Sequence, residues 1–418
     1  MRKRPRPPPQ ADPVPLAHHI PAHVPAHLVA GFDFRNDPAY RADPWGRMRT
    51  LDRAPDIFWS PDLGGYWVVT RGALIEEVFA DHERFSVRSL SVPPVEHPPF
   101  LIPNSLEPPE HGKYRRIFSQ KMFSPRALGS MEADARAMTR ALLTGFEKRG
   151  HCEFVSEFSR VLPIDMFLKM MGVDPARRDD FLPWVQAVFR GETAEEIGGG
   201  FVASAGFLGD WLDRELADRH GAKSGHMLRA MLDSKVDGRP LSRDEMLSMS
   251  MMLFLGGLDT VTSQSTHVFH FLATQPAHRQ SLIENPERIP TAIEEMLRRF
   301  GISHIGRVVA KDQDFHGVAL KAGDPIIAST SLAGIDGTAF ADPLAVQFDR
   351  FAEKPRHWAF GAGPHLCPGA HLARVQLKVM CEELLPRLKN LRLQDGAAIR
   401  YLGGATLMLE ALPVAWDA

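Results

Sequence analysis

Apolar residues along most of this chain recur at intervals of three and four positions, the spacing that places them on one face of an α-helix. The clearest stretches of this kind are 128–146, 163–168, 197–219, 244–273, 291–300 and 372–385. Shorter apolar and β-branched runs, broken by Gly and Asp, predict strands or hairpins at 66–70, 306–310, 315–320 and 325–329. We therefore predict a mainly α fold with small β-sheets.

Two of the predicted helices begin with the sequence of a capping box. Ser242 is followed three residues later by Glu245, and Thr291 is followed by Glu294. In a capping box the side chain of each residue bonds the backbone N–H of the other, which satisfies two donors at the helix start. Both helix starts are therefore predicted at these positions.

The chain of 418 residues contains no internal repeat and no Ser/Gly-rich linker, so we predict one domain from residue 26 to residue 418. The preceding residues 1–25 are rich in proline and begin with four basic residues among the first six. No apolar segment of a signal peptide follows them. We interpret these residues as a flexible arm.

Composition excludes several classes of protein. Lys plus Arg is 49 and Asp plus Glu is 51, so the overall charge gives no reason to expect binding to nucleic acid or to an anionic membrane. The strongest apolar run, 249–258, is well short of the roughly 18 residues of a spanning helix. Three cysteines are too few for a disulfide framework. We expect a cytoplasmic protein that uses neither nucleic acid nor membrane.

One cysteine lies among glycines immediately before a predicted helix. Glycines within residues 361–369 allow an irregular backbone that could approach a flat ligand, and a helix N-terminus favours the thiolate form of Cys367. Thiolates bind metals. From these residues alone, a cysteine buried for packing and a zinc site made with His365 and His371 are alternatives, although no second cysteine pair supports zinc.

The same segment resembles a known family. Phe360, Gly363, His365, Cys367 and Gly369 match, at every fixed position, the haem-binding loop of the cytochrome P450 monooxygenases. The resemblance implies that the protein binds haem b and that Cys367 is the proximal thiolate ligand of the iron, a ligand that favours O–O cleavage. It also implies that His365 contacts a haem propionate.

The long predicted helix is interrupted by Gly256 and Gly257, each of which costs on the order of 1 kcal/mol of helix propensity. Read alone, this interruption could be a packing notch with Asp259 as the N-cap of a second helix. The run resembles the distal helix of the family, which implies that Gly256 makes room for dioxygen. Asp259 and Thr260 then correspond to the acid and alcohol that handle protons.

Other residues match the family outside these two segments. His111 and Arg115, together with Arg307, correspond to positions that contact the haem propionates, and donors or cations suit two carboxylates.

Glu295 and Arg298 match a structural pair of the same family. The usual third partner is less obvious. Arg350 lacks the common spacing, so Arg356 and His357 are the candidates.

The resemblance extends over nearly the whole chain to the bacterial class I group that includes camphor 5-monooxygenase. The segments that carry it are 20–29, 255–261, 278–284, 286–290 and 411–417. This group implies electrons from NADH through a ferredoxin reductase and a [2Fe–2S] ferredoxin. The chain itself has no four-cysteine cluster pattern and no Gly-x-Gly-x-x-Gly.

One departure concerns the substrate. The camphor enzyme uses a loop tyrosine to bind the ketone, whereas residues 86–106 contain no Tyr. By the same comparison, the positions that line the pocket are Phe100, Leu101, Met252, Leu255, Ile305, Ala405 and Thr406. We expect hydroxylation, with O2, of a small apolar terpenoid or norisoprenoid ketone of the ionone type. The alternatives are a camphor hydroxylase, a peroxygenase, and a haem or zinc protein without catalysis.

Overall fold

Helices form most of the protein, as the apolar spacing predicted. The computed structural model describes residues 20–94, 98–190, 194–217, 226–352 and 356–417. The α-helices in these residues are α1 Pro38–Ala42, α2 Pro44–Arg49, α3 Gly72–Ala80, α4 Glu110–Ile117, α5 Pro125–Thr144, α6 Val161–Met171, α7 Arg178–Arg190, α8 Ala194–Ala217, α9 His226–Leu232, α10 Arg243–Gly257, α11 Asp259–Thr274, α12 Pro276–Glu284, α13 Ile289–Arg299, α14 Thr330–Gly334 and α15 Ala370–Leu384.

The strands are short and form small sheets. They are β1 Ile57–Ser60, β2 Tyr66–Val69, β3 Phe85–Ser86, β4 His151–Glu153, β5 Lys235–Val236, β6 Arg239–Pro240, β7 His304–Val309, β8 Gln313–Phe315, β9 Val318–Leu320, β10 Pro325–Ser329, β11 Lys389–Leu393, β12 Tyr401–Leu402, β13 Met408–Leu409 and β14 Pro413–Asp417. The largest sheet has the order β1-β2-β10-β7-β3. The four predicted strand segments correspond to β2, β7, the β8–β9 hairpin and β10.

The start of α10 confirms the first predicted capping box. The Ser242 side chain accepts a hydrogen bond from the Glu245 N–H at 3.2 Å, and the Ser242 N–H donates to the Glu245 carboxylate at 2.7 Å. The second predicted capping box is wrong. α13 already begins at Ile289, with a proline in its first turn, so Thr291 lies inside the helix and donates to the Arg288 carbonyl.

The packed body begins earlier in the chain than the predicted boundary at residue 26. The His23 ring lies 2.9 Å from the Asp324 carboxylate, and Val24 is buried against the core. Asp324 also accepts a hydrogen bond from the indole N–H of Trp67. Residues 1–19 of the predicted arm lie outside the described residues.

Helices α10 and α11 pass through the middle of the fold. Taken together, Arg243–Thr274 is the one helical stretch of the described residues that is long and apolar enough to span a membrane, with a hydropathy of 1.2. Most of its apolar window, 61%, is buried inside the protein. This burial is typical of the core helix of a soluble protein.

A cluster of buried charged side chains joins α13 to the irregular segment between α14 and the cysteine loop. Arg298 donates two hydrogen bonds to the Glu295 carboxylate, and both side chains are fully buried. The third partner is Arg350, which contacts Glu295 at 3.1 Å. The predicted candidates were wrong, because His357 binds Glu294 and Arg356 lies near Glu76. The sequence spacing of residues in this irregular segment did not show which side chain contacts Glu295 on α13.

We predict that Gly334→Ala destabilises the protein by about 2 kcal/mol or more, because a methyl group at Gly334 would collide with the backbone carbonyl of Arg298. Gly129→Ala is the control. Gly129 is exposed on α5 with open space around it, so alanine should raise stability by about 0.5–1 kcal/mol. Thermal unfolding of both variants measures the difference. Equal midpoints would contradict this description of the packing between α13 and α14.

Candidate active site

The cysteine loop turns back on itself just before α15. The Cys367 N–H donates to the Phe360 carbonyl at 3.0 Å, and the Leu366 N–H donates to the Gly363 carbonyl at 3.1 Å. Gly361 and Gly363 adopt φ angles of 73° and 67°, which suit glycine. The loop thereby presents Cys367, which is half-buried, at the N-terminal end of α15.

Glycine at position 363 is explained by packing against the protein itself. A Cβ there would lie 2.5 Å from the Cα of Ala80, at the end of α3. The ring of Trp358 likewise occupies the space beside Gly72 at the start of α3, and its indole N–H donates to Glu76. The close approach that we expected to involve a flat ligand is, at Gly363, an approach to α3. These contacts fix the loop on the helix.

The electrostatic surroundings of Cys367 differ from the expectation for a helix N-terminus. Burial raises the pKa of the thiol, while the Gly369 N–H and the charges of Arg115 and Arg374 oppose this shift. Pro368 has no N–H, so Gly369 supplies the amide that follows the cysteine. In the protein alone the expectation of a lowered thiol pKa was therefore wrong. A bound metal ion would favour the thiolate form.

The zinc alternative finds no support in the described residues. No group of three or more His, Cys, Asp or Glu side chains is placed there to hold a metal ion. His371 is exposed, and the ring of His365 packs instead on the ring of His111, with 4.2 Å between centroids.

Three side chains predicted to contact propionates, His111, His365 and Arg307, lie together, and we call them the cationic cluster after Arg307, which carries the charge near neutral pH. The Nε2 atoms of both histidines are buried and have no hydrogen-bond partner among the described residues. Burial lowers the pKa of His111 to about 4 and that of His365 to about 3. It also lowers the pKa of Arg307 to about 10.

Among the described residues, no carboxylate forms an ion pair with this cluster, although the Glu107 carboxylate is near enough to raise the pKa of Arg307. Arg307 forms no ion pair within the described part of the chain and donates to the carbonyl of the neighbouring Gly306. Arg115 reaches the same region, because its guanidinium donates to the Leu366 carbonyl beside Cys367. Buried polar groups without partners are costly. A ligand that offers two carboxylates and an iron atom, as haem does, would satisfy the histidines, the arginines and the thiol together.

The distal helix bends where the sequence predicted. α10 ends at Gly257 and α11 begins at Asp259, with Leu258 between them. Thr260 Oγ1 donates to the Gly256 carbonyl at 2.8 Å, and Asp259 is buried. Leu258 holds the N-cap position, so the alternative in which Asp259 caps α11 is wrong. Gly256 and Gly257 are exposed at the end of α10. A Cβ on Gly257 would meet no atom within 4 Å, whereas a Cβ on Gly256 would lie 3.0 Å from the Met252 side chain, so the open space is at Gly257 and not at the predicted Gly256.

The predicted substrate residues come from three parts of the fold. Met252 and Leu255 lie on α10. Ile305 lies on β7, next to the hairpin of β12 and β13, because the His304 N–H donates to the Ala405 carbonyl at 2.9 Å and Ser303 pairs with Thr406.

The remaining two, Phe100 and Leu101, lie in a loop that contacts α10 through Ser248. Phe100 is 60% exposed. Sequence reasoning did not single out Ser248, because a serine within an apolar helix is unremarkable without its loop partner.

A second omission is Glu294, which holds Arg374 and His357 on either side of the cysteine loop. Arg374 also lies over the Phe360 ring at 4.5 Å. The fixed position of Phe360 in the loop could have suggested a stacking partner, but not which arginine.

Comparison with known proteins decides the family. The probable cytochrome P450 127A1 of Sinorhizobium fredii is 30% identical over 409 residues, which cover 95% of this chain and 97% of that protein. The cytochrome P450 family profile matches residues 210–399. This chain belongs to the cytochrome P450 family.

Further relatives of this cytochrome P450 support the same family assignment. Mycinamicin IV hydroxylase/epoxidase of Micromonospora griseorubida is 31% identical over 84% of this chain and 89% of that protein. The crystal structures of CYP101C1 and CYP101J2 superpose with TM-scores of 0.88 and 0.86, each at 31% identity over 96% of this chain and the whole of the other. The predicted position near the bacterial camphor-type group is confirmed. The protein is a monooxygenase that uses haem b.

We predict that Arg307→Gln weakens haem binding roughly 10-fold or more, since charge-assisted hydrogen bonds to a carboxylate contribute about 1.5–3 kcal/mol. Titration of apoprotein with haem measures this change, and the exposed Arg41→Gln is the control. Haem dimethyl ester, whose carboxylates are neutralised, should bind wild type and Arg307→Gln alike. A loss of equal size for both forms of haem would contradict a contact with the propionates.

Proposed function

We propose that this cytochrome P450 hydroxylates a small apolar terpenoid or norisoprenoid ketone of the ionone type in the cytoplasm. Its electrons come from NADH through a ferredoxin reductase and a [2Fe–2S] ferredoxin. The observation that carries the choice of substrate is the apolar character of the predicted pocket positions, together with a 98–106 segment that offers no phenol donor.

The residues of the cysteine loop and the cationic cluster fit haem b. In this proposal Cys367 would supply the thiolate ligand of the iron, and His111, Arg115, Arg307 and His365 would hold the two carboxylates. The chemistry that haem supplies when bound is the reductive activation of dioxygen. Gly369 donates its N–H toward the Cys367 sulfur and so contributes to holding the thiolate.

Two residues at the bend of the distal helix handle protons. The Thr260 hydroxyl donates to the Gly256 carbonyl, which orients its oxygen lone pairs away from that carbonyl toward a second partner. Asp259 is buried at the start of α11, where a carboxylate can pass a proton inward without opening the pocket to solvent. The open space beside this pair lies at Gly257, because the end of the Met252 side chain lies 3.0 Å from the position that a Cβ on Gly256 would take.

The pocket recognises its ligand mainly by shape and apolar contact. A neutral hydrogen bond to a ketone contributes roughly 1 kcal/mol, whereas each Å² of buried apolar surface contributes about 25 cal/mol. A ring system larger than camphor therefore gains more from contact with Leu101, Leu255 and Ile305 than the absent tyrosine would provide.

The proposal of separate electron carriers is consistent with the cysteines of this chain. Its three cysteines form no disulfide. Besides Cys367 they are Cys152, buried on β4, and Cys381, buried on α15, and three cysteines cannot supply the four ligands of a [2Fe–2S] cluster. Turnover that depends on NADH, reductase and ferredoxin together would support this proposal, whereas turnover with peroxide alone would favour a peroxygenase.

We predict that Thr260→Ala keeps haem and substrate binding but diverts NADH consumption toward peroxide, because the hydroxyl acts on protons and not on substrate affinity. Product and peroxide formed per NADH are the measurements. Thr260→Ser keeps a hydroxyl and is expected to recover most of the product yield. An unchanged yield in Thr260→Ala would remove Thr260 from proton delivery.

We also predict that β-ionone binds more tightly than camphor. Spectral titration of the ferric protein with each compound gives the two dissociation constants. Tighter binding of camphor would contradict the assignment of the apolar pocket, while the assignment of haem to Cys367 would be unaffected.

A further inference from the structure

A single hydroxyl group attaches the 98–106 segment to the distal helix. Ser248 Oγ, on α10, donates a hydrogen bond to the Phe100 carbonyl at 2.7 Å. The same oxygen accepts a hydrogen bond from the Ile102 N–H at 2.9 Å. One serine thus binds the backbone on both sides of Leu101.

The 98–106 segment is held together internally by a second serine. The Ser105 hydroxyl accepts from the Leu101 N–H at 2.9 Å, and the Ser105 N–H donates to the Leu101 carbonyl at 2.8 Å. These bonds give the segment a defined shape, but they join it to itself and not to the rest of the protein.

Within the described residues, the two bonds to Ser248 are the hydrogen bonds that join the 98–106 segment to the remainder of the chain. The side chain of Ile102 is 5% exposed and anchors the segment by apolar contact. Phe100, two residues earlier, is mostly exposed. The hydroxyl of Ser248 therefore determines how the part around Phe100 and Leu101 lies against α10.

The position of Ser248 on α10 connects this attachment to the other side of the pocket. Met252 follows one turn later and Leu255 follows after two turns, so all three side chains share one face of the helix. Ser248 consequently fixes the placement of the 98–106 segment relative to two other predicted substrate residues.

We propose that Ser248 is a positioning residue that sets the size of the substrate pocket by clasping the 98–106 segment to the distal helix. This inference rests on the proposed function in one respect, since it takes Phe100 and Leu101 to face the substrate. Loss of the hydroxyl leaves the Ile102 N–H and the Phe100 carbonyl without their partner. The segment then moves away from α10, and bulky apolar ligands lose contact.

The test compares Ser248→Ala with two other variants of the holoenzyme. Ser248→Thr retains a hydroxyl. Ser250→Ala is the matched control, because Ser250 is buried on the same helix and its hydroxyl donates only to the Met246 carbonyl of that helix. Imidazole and 4-phenylimidazole are the probes. They share the ring that ligates haem iron and differ by a phenyl group that extends into the pocket.

A loss equivalent to about one neutral hydrogen bond predicts that Ser248→Ala raises the dissociation constant for 4-phenylimidazole about 5- to 10-fold, with little change for imidazole. Ser248→Thr should restore binding, and Ser250→Ala should leave both constants unchanged. Hydrogen exchange should accelerate at the amides of the 98–106 segment in Ser248→Ala alone. Thermal unfolding of all three variants accompanies these measurements.

Equal effects of Ser248→Ala and Ser250→Ala, or equal weakening of both probes, would overturn the proposal, since either result would indicate a general loss of helix stability. Unchanged exchange in the 98–106 segment would also overturn it. If wild type binds neither β-ionone nor camphor, the proposed substrate class fails, and the two imidazoles still decide the role of Ser248. If the protein holds no haem, the exchange measurement decides it.

Discussion

The rest of the site depends on one constraint: His111, His365 and Arg307 lie together in the interior, and no carboxylate among the described residues forms an ion pair with them, although Glu107 is near enough to raise the pKa of Arg307. Arg307 is 3% exposed, and each histidine has a buried nitrogen without a hydrogen-bond partner in the part of the chain that the structure describes. Such groups are expensive to bury without hydrogen-bond partners. A ligand with carboxylates would relieve this cost, and we therefore expect haem binding to raise folding stability.

The two sides of the site are held in different ways. On the proximal side, the cysteine loop is fixed by close packing on α3 and by Glu294, which binds Arg374 and His357. Charged pairs of this kind restrict movement strongly. On the distal side, neutral hydrogen bonds hold the chain in place. Thr260 donates one to the backbone of α10, and Ser248 donates one to the 98–106 segment. The cysteine loop is therefore held rigidly, whereas the predicted substrate pocket can adjust.

Residues could be predicted from the sequence where their effect is local. The helical spacing, the capping box at Ser242 and the loop around Cys367 depend on neighbours within a few positions, and each is found in the structure. The failures share a different cause. Thr291 resembled a cap, but a helix that begins earlier at Ile289 overrides it. Arg350 reaches Glu295 across 55 positions, and no local spacing encodes that contact. The thiol pKa was expected to fall because the helix N-terminus was visible in the sequence while the burial around it was not.

The central claim is that Cys367 and the cationic cluster together hold a haem with a thiolate ligand. The absorption spectrum of the reduced protein under carbon monoxide tests it most directly, because the Soret band of a haem–CO complex lies at a longer wavelength with a thiolate ligand than with histidine. The account predicts the thiolate-type band for wild type and its loss in Cys367→His. A histidine-type band in wild type, or a purified protein that contains zinc and no iron, would contradict it.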